Sequence, residues 1–233
     1  MNIWNVDEMK IKKGDFIEID FVGRIKGINQ IFDLTKEDIA KKNNLYSPKI
    51  KYEPIVICVG EKQVVSGLDD QLVDKEIGKE YDFEISSETG FGKKDGKLLK
   101  IVPAKLFRDH KLKPFPGMQV NFDKMVGTVR AVSGGRIIVD FNHPLAGRDL
   151  IYHVEIYKRI TDVHDKIRSL LKFYFASDVK FEYKNKELVV DVEIPDTFSL
   201  NLVQQIKKAI PDLKEVLFKK KEVNEEKQSP KNK

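Results

Sequence analysis

Two stretches of alternating apolar and polar residues, far apart in the chain, constrain the fold more than any other feature. In Phe16-Ile17-Glu18-Ile19-Asp20-Phe21-Val22, residues Ile17, Ile19 and Phe21 fall on one face of a strand. Leu150-Ile151-Tyr152-His153-Val154-Glu155-Ile156 resumes that pattern after a long interval of different texture. In the interval, from about Gly92 to Asp140, the segments are short and broken by turns. Pro103-Ala104-Lys105-Leu106-Phe107 reads as a single helical turn and Pro114-Phe115-Pro116-Gly117 as a tight loop. Ser133-Gly134-Gly135 reads as a hairpin turn between strands at 128–132 and 136–141. A domain whose chain is interrupted by an insertion and then completed accounts for both patterns.

Further strands are predicted at 30–33, 54–59 and 79–86. Ser66-Gly67-Leu68-Asp69 has the spacing of a helix capping box, after which Val65, Leu68 and Leu72 share a helical face. An antiparallel sheet packed on one short helix follows. Beyond residue 160 the order is helix, strand, strand, helix, strand. Val163, Ile167, Leu170, Leu171 and Tyr174 form one helical stripe, and Leu202, Val203, Ile206 and Ile210 form a second that ends at Pro211. Between them, Val179, Phe181 and Tyr183 alternate, as do Leu188, Val190, Val192 and Ile194, across an Asn185-Lys186 turn. A unit of this size makes a marginal core, so association through 161–221 into a homodimer is expected.

With 41% hydrophobic residues in 233, the chain can bury one sizeable core or a few small ones. Its net +5 is spread over a surface of 34% charged residues, which gives no argument for nucleic acid as a partner. Lys219-Lys220-Lys221 lacks interleaved aromatics and reads as a solvated end of an element. No run approaches the ~18 to 20 apolar residues of a bilayer span, and the start lacks the basic-then-apolar pattern of a signal peptide. A cytoplasmic protein without membrane contact is expected, with 222–233 as a disordered tail. Cys58, the single cysteine, lies in an apolar run with no basic neighbour to lower its pKa, so an inert buried thiol is expected. His110, His143, His153 and His164 stand in separate segments without metal-ligand spacing, so no metal site is assigned.

The stretch Val59-Gly60-Glu61-Lys62-Gln63-Val64-Val65-Ser66-Gly67-Leu68 resembles the strand, glycine turn and helix start of the FKBP-type peptidyl-prolyl cis-trans isomerases. Ile31-Phe32-Asp33 matches their Phe-Asp pair, Gly90-Phe91-Gly92 their aromatic-Gly flap motif, and Asn142-His143-Pro144-Leu145-Ala146-Gly147 the exit from an insert. In this order the motifs cover residues 14–160, and the insert makes the chain similar to SlyD-like members of the archaeal long type.

The resemblance implies an α+β fold: an FKBP-like antiparallel sheet wrapped on a short helix, with an inserted mainly-β domain and a C-terminal α-β-β-α-β domain. The expected divisions are 1–92 with 141–160 for the isomerase domain, 93–140 for an insert-in-flap chaperone domain, and 161–221 for association. It implies an enzyme that needs no cofactor and acts on X-Pro bonds of unfolded or proline-containing polypeptides. Phe21, Phe32, Ile55, Val64, Val65, Leu68 and Tyr152 would line an apolar cup, with Phe91 and Leu145 also binding substrate. Asp33, Phe21, Tyr152 and Val65 would carry catalysis, Asp33 electrostatically and Val65 through its backbone N–H. Phe21 and Phe91 stand where many members have tyrosines, and Leu68 replaces a tryptophan at the cup floor. These departures leave open a holdase or peptide-binding module with weak or no isomerase activity. In the insert, Phe107, Phe115, Met118, Phe122, Met125 and Val126 suggest an adaptable client surface, or alternatively the insert's own small core. No role follows from the sequence for the long stretch 34–54.

Overall fold

The computed structural model describes residues 9–122 and 125–219; the tail expected to be disordered, 222–233, lies outside the described residues. Strands β1 (Phe16–Ile25), β2 (Ile31–Leu34), β3 (Ile55–Cys58), β4 (Glu80–Ile85) and β9 (Leu150–Ile160) form an antiparallel five-stranded sheet. The two alternating stretches lie side by side at its centre: β1 pairs with β9 along its whole length, from Phe16 opposite Ile160 to Ile25 opposite Leu150. The other edge of β1 is shared, its first half pairing with β3 and its second half with β2. Ile17, Ile19 and Phe21 point to one face, where they meet Leu68 and Leu72 of the short helix α2 (Ser66–Leu72) in a single buried cluster.

The capping box at the start of α2 does not form. Val65 is the N-cap without a side-chain bond, and Ser66 Oγ instead donates to the carbonyl of Thr89 at 2.8 Å. The Asp69 carboxylate turns back to accept from the N–H groups of Gly60 and Lys62, both at 2.9 Å. Two amides left open by a turn in which Gly60 and Lys62 have positive φ attract the charged oxygens more strongly than one helix-end N–H. The stretch 34–54 contains a helix not foreseen from the sequence, α1 (Glu37–Lys42), which buries Ala40 and is tied to β9 by the ion pair Lys36–Glu155.

Between β4 and β9 the chain builds a second sheet from β5 (Leu99–Pro103), β6 (Gln119–Phe122), β7 (Met125–Ser133) and β8 (Arg136–Asp140), in the order β5-β8-β7-β6, with helix α3 (Ala104–Asp109). Gly134 and Gly135 both take positive φ in the β7–β8 turn, as a two-residue hairpin of this hand requires. The chain enters and leaves this unit side by side. Gly147 N–H donates to Gly92 O, and Asp95 and Asn142 bond each other in both directions. Asp140 joins the two crossings, accepting from Lys94, Arg130 and Asn142 while almost wholly buried.

The last unit follows the expected order: α4 (Val163–Phe175), β10 (Phe181–Lys184), β11 (Glu187–Val190), α5 (Asp196–Ala209) and β12 (Glu215–Phe218). Asp162 caps α4 through the N–H of Asp165. Its marginal core is completed within the chain: Ile167, Leu170, Leu171, Leu188 and Ile206 share one buried cluster with Phe16, Cys58 and Ile160 of the five-stranded sheet. The pairs Lys172–Glu53 and Lys208–Glu61 span the same junction. No helix among the described residues is long and apolar enough to cross a membrane.

Candidate active site

Where β1, β2 and β9 run side by side, three aromatic rings converge above α2. Tyr152 lies 5.7 Å from Phe21 and 5.6 Å from Phe32, ring centre to ring centre, the latter pair edge to face. Phe91, in the loop after β4, meets Phe32 edge-on at 6.0 Å and stacks flat on His143 at 4.5 Å. Phe32, Ile55, Val64, Val65, Phe91 and Leu145 are partly buried against the same cluster, and Leu68 is fully buried beneath them. The residues expected to form the cup are therefore brought to one place, with apolar walls and an apolar floor.

Two residues that sequence reasoning passed over shape this cup. A Cβ on Gly23 would come within 2.7 Å of Phe32 Cζ and 3.1 Å of Tyr152 Cε1, so only glycine at this strand position lets both rings pack. Thr35, almost wholly buried, accepts from the N–H of Phe21 at 2.8 Å and returns its own N–H to Phe21 O, which fixes β1 against the residues that follow Asp33. Neither role has a local signal, since both arise from pairing between strands. His143, whose Nδ1 accepts from the N–H of Leu145, walls the cup through its stack on Phe91.

Asp33 is exposed at the edge of the cup, opposite Gly23 on β1 and close enough to Tyr152 for its charge to act on the phenol. The apolar surroundings strip enough water from the carboxyl to raise its pKa above the ordinary 3.8, an effect the Leu34 N–H opposes by hydrogen bonding. Burial, with the Asp33 charge adding to it, pushes the Tyr152 phenol up as well, so that ring stays neutral. Among the described residues, neither the Val65 N–H nor the Tyr152 hydroxyl has a hydrogen-bond partner, so both are available to a bound carbonyl. Cys58 takes no part: burial drives its thiol to about 12, which makes it inert.

In the insert the expected client residues divide. Phe107 is a core residue, fully buried and edge-on to Phe122 at 5.4 Å, and Met118 and Phe122 pack against the same core. The expectation that Phe107 meets clients is thus corrected: the insert's small sheet needs that ring to fill its centre. Phe115, Met125 and Val126 remain exposed, at 60%, 38% and 61%. Leu99, Ile101 and Ile138, not foreseen as surface residues, are exposed as well, with Ile101 and Ile138 directly opposite each other across β5 and β8.

Residues 7–107 match the family of FKBP-type peptidyl-prolyl cis-trans isomerases, and residues 100–145 match the domain described as FKBP26, IF domain. The chain is 31% identical over 146 residues to the short-type peptidyl-prolyl cis-trans isomerase of Methanocaldococcus jannaschii, a match covering 63% of this chain and 92% of that protein. It is 35% identical over 114 residues to the FKBP-type isomerase SlyD of Aeromonas hydrophila, covering 45% of this chain and 50% of the relative. Over 109 residues it is 28% identical to the FKBP-type 16 kDa isomerase of Escherichia coli K12, covering 45% and 72% respectively.

Proposed function

The chain belongs to the FKBP-type peptidyl-prolyl cis-trans isomerase family, and from that premise we propose that it rotates X-Pro bonds of unfolded polypeptides held in the Phe21–Phe32–Tyr152–Phe91 cup. The observation that carries this reading is the convergence of those rings beside the Asp33 carboxylate and the unpartnered N–H of Val65. Rotation breaks no bond. It twists a partial double bond against a barrier of ~18 to 20 kcal/mol. Water stabilises the planar, polar amide, so dry aromatic walls around the proline ring favour the twisted form, whose carbonyl is less polarised. Asp33, poorly solvated at the rim, faces the carbonyl carbon electrostatically, and the Val65 N–H holds a neighbouring substrate carbonyl. A thousandfold acceleration asks these groups for ~4 kcal/mol.

The insert serves this reaction as a client-holding surface, which the exposed Phe115, Val126, Ile101 and Ile138 support. By keeping a flexible chain beside the cup it raises the chain's effective concentration there. The homodimer through 161–221 belongs to the proposal too. Exposed Phe198, Leu200 and Leu217 support it now that the core of that unit is completed within the chain. The setting we propose is cytoplasmic.

The test is proline isomerisation in a short X-Pro peptide together with refolding of a proline-limited protein. Intact protein should accelerate both, Asp33→Ala should depress both, and removal of 93–140 should spare the peptide reaction while depressing refolding. A folded intact protein that leaves the peptide rate unchanged would refute the catalytic cup.

A further inference from the structure

On the face of the sheet opposite the cup, strand pairing assembles a group of charged side chains from distant parts of the sequence. Glu80 and Asp82 of β4 stand directly opposite Glu155 and His153 of β9, so all four project from the same side. The possible ligand atoms of Glu80, His153 and Glu155 all lie within 4.8 Å of one another. His153 Nδ1 is 2.9 Å from Asp82 Oδ1, and Nε2 lies 3.6 Å from Glu80 Oε2.

This arrangement sets the ring's chemistry. An ionised carboxylate only accepts hydrogen bonds, so Asp82 holds the proton on Nδ1 and leaves the Nε2 lone pair directed at Glu80. A lone pair facing a carboxylate across 3.6 Å leaves a place that a metal ion can occupy. The carboxylate behind the imidazole is the support that metal-bound histidines ordinarily have. A second observation points the same way. Asp20 stands opposite Glu155 on β1, and although Tyr157 donates to its Oδ2, its Oδ1 is buried without a partner among the described residues. The row Asp20–Glu155–Glu80 therefore sets three carboxylates against one ammonium, that of Lys36 on Glu155 Oε1, while Tyr157 donates to Glu155 Oε2 at 2.8 Å, so an ion would bind Glu155 by displacing one of these two partners.

We infer that Glu80, His153 and Glu155 form a binding site for a divalent transition-metal ion, with Asp82 orienting the histidine. One imidazole and two carboxylates without sulfur suit zinc or a similar borderline ion better than calcium or magnesium, which prefer oxygen alone. Carboxylate side chains exposed on one side can draw in to the ~2.0 to 2.2 Å bonds such an ion needs. The site is separate from the cup and independent of the proposed reaction. Spacing along the sequence cannot show it, since its residues meet only through the β4–β9 pairing.

Calorimetric titration of the metal-free full chain with zinc chloride at neutral pH tests the inference. One site is expected, weakened at least tenfold by His153→Gln and by Glu80→Gln, and about tenfold by Asp82→Asn. Because these variants could disturb the sheet, cobalt(II) added to unmodified protein provides a second measurement. The largest paramagnetic shifts should fall on the His153 ring and its neighbours in β4 and β9. Absence of zinc uptake, equal affinity in His153→Gln, or cobalt shifts centred on His110, His143 or His164 would each overturn the assignment, leaving a hydrogen-bonded surface cluster.

Discussion

Asp33 is exposed, yet its neighbours partly desolvate the carboxylate, which separates its effect on activity from its effect on stability. Its pKa is higher folded than the ordinary 3.8 of an unfolded aspartate. Its stabilising contribution is therefore fully present below that ordinary value and is lost as pH rises through the folded pKa. Asp33→Asn is expected to raise the melting temperature at neutral pH, with the gain disappearing in acid, while lowering the isomerisation rate at least tenfold; thermal melts and peptide assays across pH check both. In the parent, activity should fall on acidification at a higher pH than an ordinary aspartate would dictate. Gly23→Ala addresses packing instead of charge. Its new methyl meets Phe32 and Tyr152 closer than carbon atoms tolerate, so a loss of about 1 to 3 kcal/mol in denaturant unfolding, with weaker peptide turnover, is expected.

At the scale of elements, the insert's two crossings are held by one buried carboxylate. Burial alone would raise the pKa of Asp140, but hydrogen bonds from the side chain and N–H of Asn142, from Lys94 and from Arg130 hold it well below the ordinary range. Its stabilisation is present above the ordinary 3.8 and is lost as pH falls below it. Asp140→Asn should cost about 1 to 3 kcal/mol and raise amide exchange at 92–98 and 140–147 before it changes exchange in β1. The elements themselves were unevenly legible. Alternation in 16–22 and 150–156, the two helical stripes after 160 and the Gly134-Gly135 turn announced β1, β9, α4, α5 and the β7–β8 hairpin. Helix α1 escaped notice because its only apolar residues, Ile39 and Ala40, are adjacent and make no period. At the cup, Phe21, Phe32, Asp33 and Tyr152 follow from the resemblance and the structure brings them together, whereas Gly23, Thr35 and Asp69 act through partners that only the folded chain supplies.

Across the whole molecule, β1 serves two bodies at once. Phe21 faces the cup while Phe16, on the reverse face, lies in the core of the last unit, a division that alternation alone could not reveal because it assigned β1 a single apolar side. The two units should then unfold together. Leu170→Ala, which hollows the shared core, is expected to cost about 2 to 5 kcal/mol, to leave a single transition, and to speed labelling of Cys58 by a thiol reagent, since that thiol is protected by the same contacts. A different coupling links the insert to the cup. The chain enters the insert just after Phe91 and leaves it just before His143, and these two rings are stacked on each other. In the proposed reaction the stack would serve as a fulcrum: torque from a chain tugging on the far end of the insert would converge on the wall against which a proline turns.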